Sequence, residues 1–339
     1  MRFLFPVLAF AALVVIAIIG ANVEGLHFLF GVFIPYAAIA FFIIGIIVRI
    51  VKWAKSPVPF RITTTCGQQK SLDFIRQNKL DSPYTGFQTV LRMFLEVVTF
   101  RSLFRNTSAD IKEGPKLTYG ASKWLWLFAI VFHYSFLMIV LRHFRFFVEP
   151  VPVFVEPLEM LDSFFQVGVP IIYITSVGII IGGLYLLLRR FFDEKIRYMS
   201  LPSDYFPLYL ILGIAVTGVW MRHIDKVDLV GIKSLTVGLF TFNPVVPAGI
   251  DAMFYVHFFL VCSLLIYFPM SKLVHAPGVF MSPTRNMPNN NRAERYQNPW
   301  NDEFKMHYHT YEEYEDEFRP MMKAADMPLE KDVEEEKNG

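Results

Sequence analysis

Six long stretches of this chain carry no Asp, Glu, Lys or Arg, and no other feature constrains its fold as strongly. They cover positions 3–23, 25–48, 124–141, 163–188, 205–221 and 252–271, or 21, 24, 18, 26, 17 and 20 residues. A helix needs about 20 apolar residues to cross a ~30 Å hydrocarbon core, so every run meets or nearly meets the requirement. The expected fold is an all-α integral membrane protein of six transmembrane helices. Only 18% of residues are charged, against about 25% in soluble domains. The first run is long, follows a single arginine and reads as a retained span rather than a cleaved leader.

Composition excludes several classes. A net charge of +2, with no basic cluster interleaved with aromatics, argues against nucleic acid. The two cysteines, Cys66 and Cys262, cannot build a disulfide scaffold or, by themselves, an iron–sulfur site.

Loop charge orients the bundle. Positions 52–123 hold twelve Lys and Arg against five acids, which places this segment in the cytoplasm. The turn at Glu24, the acidic segment 146–162 and loop 222–251 then lie outside, and both termini lie inside. Four regions follow: an N-terminal transmembrane hairpin (1–52), a cytoplasmic loop (53–121), a four-helix membrane domain (122–276) and a cytoplasmic tail (277–339). In the loop, Phe87, Val90, Leu91, Phe94, Leu95 and Val98 share one helical face. That helix either lies along the membrane interface or packs on a partner subunit. The tail is Asn- and Pro-rich over 277–298 and carries thirteen acids against five bases over 300–339. It cannot bury a core, so it is expected to stay extended until it meets a partner.

No carboxylate lies inside any of the six runs, which counts against a proton-coupled transporter. Histidine appears at membrane depth instead. Span three carries His133 and His143, and span six carries His257 and, at its end, His275. The two spans are antiparallel, so His143 pairs in depth with His257 and His133 with His275. At 1.5 Å per residue the separations are about 15 Å and about 27 Å, which suits two stacked haems, each held by one histidine from each helix. Eighteen residues return His257 and His275 to one face, whereas ten leave His133 and His143 about 80° apart. A lone histidine in a membrane helix is more often a packing residue; four paired by depth point to iron ligation. Such doubly ligated haems carry electrons and have no open site for a substrate. Arg142, Arg145, Arg222 and Lys272 are candidate partners for haem propionates, or ordinary interfacial cations. His223 reads as interfacial, and His27, His307 and His309 carry little weight. Gly178 and Gly182 form a GxxxG, read first as helix packing.

The strings FHYSFLMIVLRH (132–143) and VHFFLVCSLLIYFPMSKLVH (256–275) resemble the cytochrome b gamma subunits of respiratory nitrate reductases. Both histidine spacings and the ending Phe268, Pro269, Leu273, Val274, His275 agree. By that likeness His143 with His257 hold an outer haem b, and His133 with His275 an inner one. PFRITTTCGQQKSLDFIRQ (59–77), VFMSPTRNMPNN (279–290) and HTYEEYEDEFR (309–319) are similar to the DsrM family, the membrane cytochromes b of sulfite-reduction-associated DsrMKJOP complexes, and to their counterparts in Hme complexes. This second resemblance implies two haem b, menaquinone as exchangeable substrate and residence in the inner (cytoplasmic) membrane. Its implied partners are a cytoplasmic iron–sulfur subunit like heterodisulfide reductase, a further membrane subunit and a periplasmic multihaem cytochrome c. Cys66 falls in the family-like TTTCGQQKS string, where a structural or partner-contact role is expected. The sequence names no quinone pocket and no direction of electron flow. The rival reading is a haem-free membrane anchor that recruits other subunits.

Overall fold

The computed structural model describes residues 3–56, 67–105, 108–114, 116–165, 171–290, 293 and 309–329. Cys66 and His307 lie outside them. Among the described residues, six helices are long and apolar enough to cross a membrane. In chain order these are α1 (Leu4–Asn22), the span Glu24–Ala54 ending in α2 (Ile34–Ala54), then, after the loop, Lys123–Phe147, Ile174–Phe192, Pro202–Asp225 and Ala252–Met270.

Helices outlast the uncharged runs where a charge at a helix end finds a partner. Loop elements α3 (Gly86–Thr99), α4 (Arg101–Phe104) and the antiparallel ribbon β1–β2 (Ser108–Lys112, Lys116–Gly120) precede α5 (Lys123–Phe147). α5 passes through Arg142 and Arg145, which pair with Asp162 and Glu159. Span four begins later than its run. Residues 163–173 include a second small ribbon, β3–β4 (Ser163–Phe165, Ile172–Tyr173), between α6 (Val155–Asp162) and α7 (Ile174–Phe192). The two ribbons qualify the all-α expectation; the bundle itself is helical.

After α8 (Glu194–Met199) and α9 (Pro202–Trp220), a π-helical turn Met221–Asp225 carries Arg222 and His223. Loop 222–251 contains an element that charge reading passed over, α10 (Leu229–Phe240), capped by the Asp228 carboxylate accepting from Val230 N. Its Ile232, Leu235 and Leu239 enter the main core with Ala17, Phe30, Leu210 and Leu260. Thr236 Oγ1 donates to Phe146 O at 2.5 Å, tying α10 to the end of α5.

α5 and α7 approach closely at the GxxxG. A Cβ on Gly182 would stand 2.9 Å from Phe132 Cβ, and one on Gly178 2.4 Å from Ser135 Oγ, so both positions serve helix packing. α11 (Ala252–Tyr267) follows, then α12 (His275–Gly278).

α3 inverts the amphipathicity of a soluble helix. Thr89 and Arg92 are buried, whereas Phe87 and Phe94 are exposed. Its C-terminal carbonyls are fastened to the membrane helix: Trp126 Nε1 donates to Thr99 O (2.7 Å) and Tyr134 Oη to Val98 O (2.8 Å). Around it, Asp81 accepts from Arg101 and Arg105, and Glu96 holds Ser102 and Arg285. Asn289 N donates to Pro83 O and Gln69 Nε2 to Asn289 O, stitching segment 279–290 to residues 67–84. Burial pushes the Asp81 carboxyl up, but the hydrogen bond and charge of Arg101, with Arg105, hold it below its ordinary value.

The end of the tail, Arg295–Gly339, belongs with Pro57–Phe60 to a separate compact unit. Within it, α13 (Tyr311–Ala324) is helical where an extended chain was expected. Thr310 and Glu313 make a capping box there, and Arg319 pairs with Glu315 one turn back, so local interactions carry the helix.

Candidate functional site

The four histidines of spans three and six fall into two pairs. His133 and His143 project from α5, and His257 projects from α11. His275 does not continue α11. The helix ends at Tyr267, gives way to a 3-10 turn Phe268–Met270, breaks at Ser271 and resumes as a second 3-10 turn before His275 opens α12. Pro269 lacks the N–H that would extend the helix, and the Ser271 hydroxyl accepts from Leu273 N instead. The expectation of one continuous helix from His257 to His275 is therefore corrected. The break nevertheless brings His275 to His133, with ring centroids 5.9 Å apart and planes at 87°. Metal–imidazole bonds of about 2 Å put two trans ligand rings about 6 Å apart. The His133–His275 pair has about the spacing that two ligands of one metal ion would need. At the other end, His143 and His257 are close enough to interact electrostatically.

Each ring is oriented by the same device. His133 Nδ1 lies 2.7 Å from Ala129 O, His143 Nδ1 2.6 Å from Ile139 O, and His275 Nδ1 3.0 Å from Lys272 O. A carbonyl only accepts, so Nδ1 carries the proton and Nε2 keeps its lone pair. His257 uses a hydroxyl: Nδ1 is 2.9 Å from Thr217 Oγ1, which is also within reach of Gly213 O and Ile214 O. Metal-binding histidines show this second contact, which fixes the tautomer and strengthens the ligand. Two such ligands per pair suit a metal that brings its other four, as porphyrin iron does. Gly218 lies against His257, where an added Cβ would stand 3.3 Å from Cε1.

The cations near these pairs are mostly engaged by protein. Arg142 pairs with the buried Asp162 at 3.0 Å and lies 3.8 Å from the centre of the Tyr173 ring. Arg145 makes a bidentate pair with Glu159 at 2.8 and 2.5 Å, and Tyr173 also donates to Glu159. Burial raises the Glu159 carboxyl, yet the hydrogen bonds from Arg145 and Tyr173 and the nearby guanidinium charges hold it below its ordinary range. Lys272 pairs with Asp204 at 2.7 Å. Arg222 donates Nε to Ile171 O and lies 4.2 Å from the centre of the Tyr173 ring. Among the described residues it has no carboxylate partner.

His27 and His223, in the same unit, make other contacts. His27 stacks on Tyr255 at 4.4 Å, with Nε2 2.9 Å from Ala21 O. His223 lines a groove of about 270 Å³ with Ser176 and Val219, and His309 precedes α13.

A larger cleft, about 770 Å³, opens between the end of α5 and α10. Arg145, Phe146, Glu149, Lys233 and Asn243 line it, with Val230, Val237 and Val245 at the apolar side. Lys233 and Glu149 form an ion pair in it. Phe146 also meets the His143 ring, centroid to centroid 5.8 Å. Sequence reading missed this cleft along with α10, and it missed Thr217. A hydroxyl within an apolar run was the available signal for the latter.

The nitrate reductase gamma subunit family model matches residues 108–290. A curated relative from Archaeoglobus fulgidus, named Hdr-like menaquinol oxidoreductase cytochrome b-like subunit, is 49% identical over 279 residues, covering 80% of this chain and 83% of the relative. One of the same name from Archaeoglobus profundus is 45% identical over 274 residues, covering 79% and 81%.

Proposed function

This chain belongs to the nitrate reductase gamma subunit family, and from that membership we propose that it is the dihaem cytochrome b subunit of a menaquinol-linked membrane complex. The observation that carries the reading is the inner pair: two rings 5.9 Å apart, each with Nδ1 hydrogen-bonded to a backbone carbonyl and Nε2 left to bind. His133 with His275 would hold one haem b, and His143 with His257 the other. When bound, these groups supply one-electron transfer across the membrane without opening a site for substrate.

The chain's own residues do the rest. The cleft beside Phe146 receives menaquinol, whose oxidation to menaquinone yields two electrons and two protons. Its apolar flank suits the isoprenoid quinol, and Glu149 and Lys233 offer a proton acceptor and a hydrogen-bond donor. Arg222 is the proposed propionate partner at that end, with Arg142 and Arg145 adding positive field while held by Asp162 and Glu159. Lys272 does so at the inner end. Loop charge makes the His143 end the outer one, so protons leave outside and electrons emerge inside.

The acceptor in this reading is a heterodisulfide-reductase-like iron–sulfur subunit docked on loop 53–121 and the tail. The names of both relatives support the menaquinol and heterodisulfide reductase parts. The assignment to sulfite or sulfate metabolism, with a further membrane subunit and a periplasmic multihaem cytochrome c, rests on strings 59–77, 279–290 and 309–319. Adding a reduced menaquinol analogue to purified protein is the direct test. Appearance of a reduced haem b spectrum supports the reading. A protein that purifies without a Soret band is the anchor instead.

A further inference from the structure

The cytoplasmic loop reaches the inner histidine pair. Between α3 and α4 the chain turns at Phe100, a non-glycine residue in the left-handed region (φ 49°, ψ 44°). Such a conformation persists only where its surroundings impose it, and it clusters at functional sites. The Phe100 ring meets His133 edge to face, with centroids 5.1 Å apart and planes at 89°. Bonds on both sides hold the turn in place. Before it, Trp126 and Tyr134 of α5 donate to the carbonyls of Thr99 and Val98. After it, Arg101 and Arg105 share the Asp81 carboxylate. Tyr134 is the twelfth residue of α5, about 16 Å along the helix from its start, so the turn is anchored at membrane depth.

We propose that Phe100 is a positioning residue of the inner haem site, holding the His133 imidazole perpendicular to that of His275, with the Asp81 clamp fixing Phe100 from the cytoplasmic lobe. This deepens the dihaem reading and rests on it. Phe100, Asp81, Arg101 and Arg105 lie outside the matched family region 108–290, whereas the two histidines lie within it. The Ala129 carbonyl holds the Nδ1 edge of the His133 ring, and the aromatic rings packed on the imidazole set the rest of its orientation. Phe100 and Phe132 both meet that ring edge to face. The angle between two axial imidazole planes governs the g anisotropy of a low-spin ferric haem, so the 87° angle at this pair has a spectroscopic signature.

The test uses the full-length, haem-loaded protein in detergent, as wild type, Phe100→Leu and Asp81→Asn. Low-temperature EPR with redox titration resolves the two haems. In Phe100→Leu the highly anisotropic signal of one haem shifts to a smaller largest g value, its midpoint potential moves, and the other haem is unchanged. In Asp81→Asn, which leaves the Phe100 ring in place, the same signal broadens. Two haems with both signals unmoved in Phe100→Leu overturn this inference and leave the dihaem reading standing. Equal shifts of both haems in either variant overturn it as well. Wild type without haem b removes the functional reading and this one together.

Discussion

The Thr217 hydroxyl of α9 stands 2.9 Å from Nδ1 of His257 on α11 and also reaches the Gly213 and Ile214 carbonyls of its own helix. With the hydroxyl proton on either carbonyl, Nδ1 donates and Nε2 is left as the ligand atom. Thr217→Val keeps the shape and removes the acceptor. Loss of such an outer contact lowers metal affinity by about 10–100-fold. The variant is expected to retain one haem b where wild type holds two, measured by pyridine haemochrome content, and Thr217→Ser restores the second.

Gly182 faces the Phe132 backbone at 3.1 Å from where a Cβ would sit. Gly182→Val forces α7 away from α5, at a cost of about 1–3 kcal/mol, the range of core overpacking. The midpoint of thermal unfolding in detergent falls accordingly. Substitution at Gly25, where an added Cβ meets nothing within 4 Å, leaves it unchanged.

The cleft beside Phe146 predicts a separation of binding from haem content. Lys233→Met removes a charged donor worth about 1.5 kcal/mol, roughly tenfold in apparent affinity for the quinol. Reduction of the haems by a menaquinol analogue slows by about that factor below saturation, while dithionite still reduces both. Equal loss of the dithionite spectrum would assign Lys233 to folding instead.

Asp81 sets an acid limit on the lobe of residues 67–105. Its carboxyl titrates below its ordinary value of 3.8 in the folded protein. A carboxylate with a lowered folded value contributes stability that is complete above the unfolded value and lost as pH falls through the folded one. Hydrogen-exchange protection of residues 67–105, corrected for intrinsic rates, is thus expected to be flat between pH 5 and 7 and to fall below about pH 3.8. Asp81→Asn shows weakened protection between pH 5 and 7, and its difference from wild type disappears as pH falls further.

The spans were legible because lipid tolerates so few charges that Arg2, Glu24, Asp251 and Lys272 act as rulers. The paired histidines were legible because depth along antiparallel helices follows from residue count. Legibility ended where backbone departs from a straight helix. Pro269 and Ser271 break the chain between His257 and His275, so His275 reaches His133 for a different geometric reason than spacing on one face. α10 was hidden because Lys233 interrupts its apolar pattern and loop charge had labelled the segment. Phe100 could not be found at all: the contact joins it to His133 across a loop, and no local pattern announces a left-handed turn at a phenylalanine.

The pairing of the four histidines is the central claim, and single alanine variants at each test it most directly. Haem b content and EPR are read on the purified full-length proteins. The account predicts two low-spin haems in wild type, with His133→Ala and His275→Ala losing one signal and His143→Ala and His257→Ala losing the other. Wild type without haem b, or four variants that all keep both signals, would contradict it.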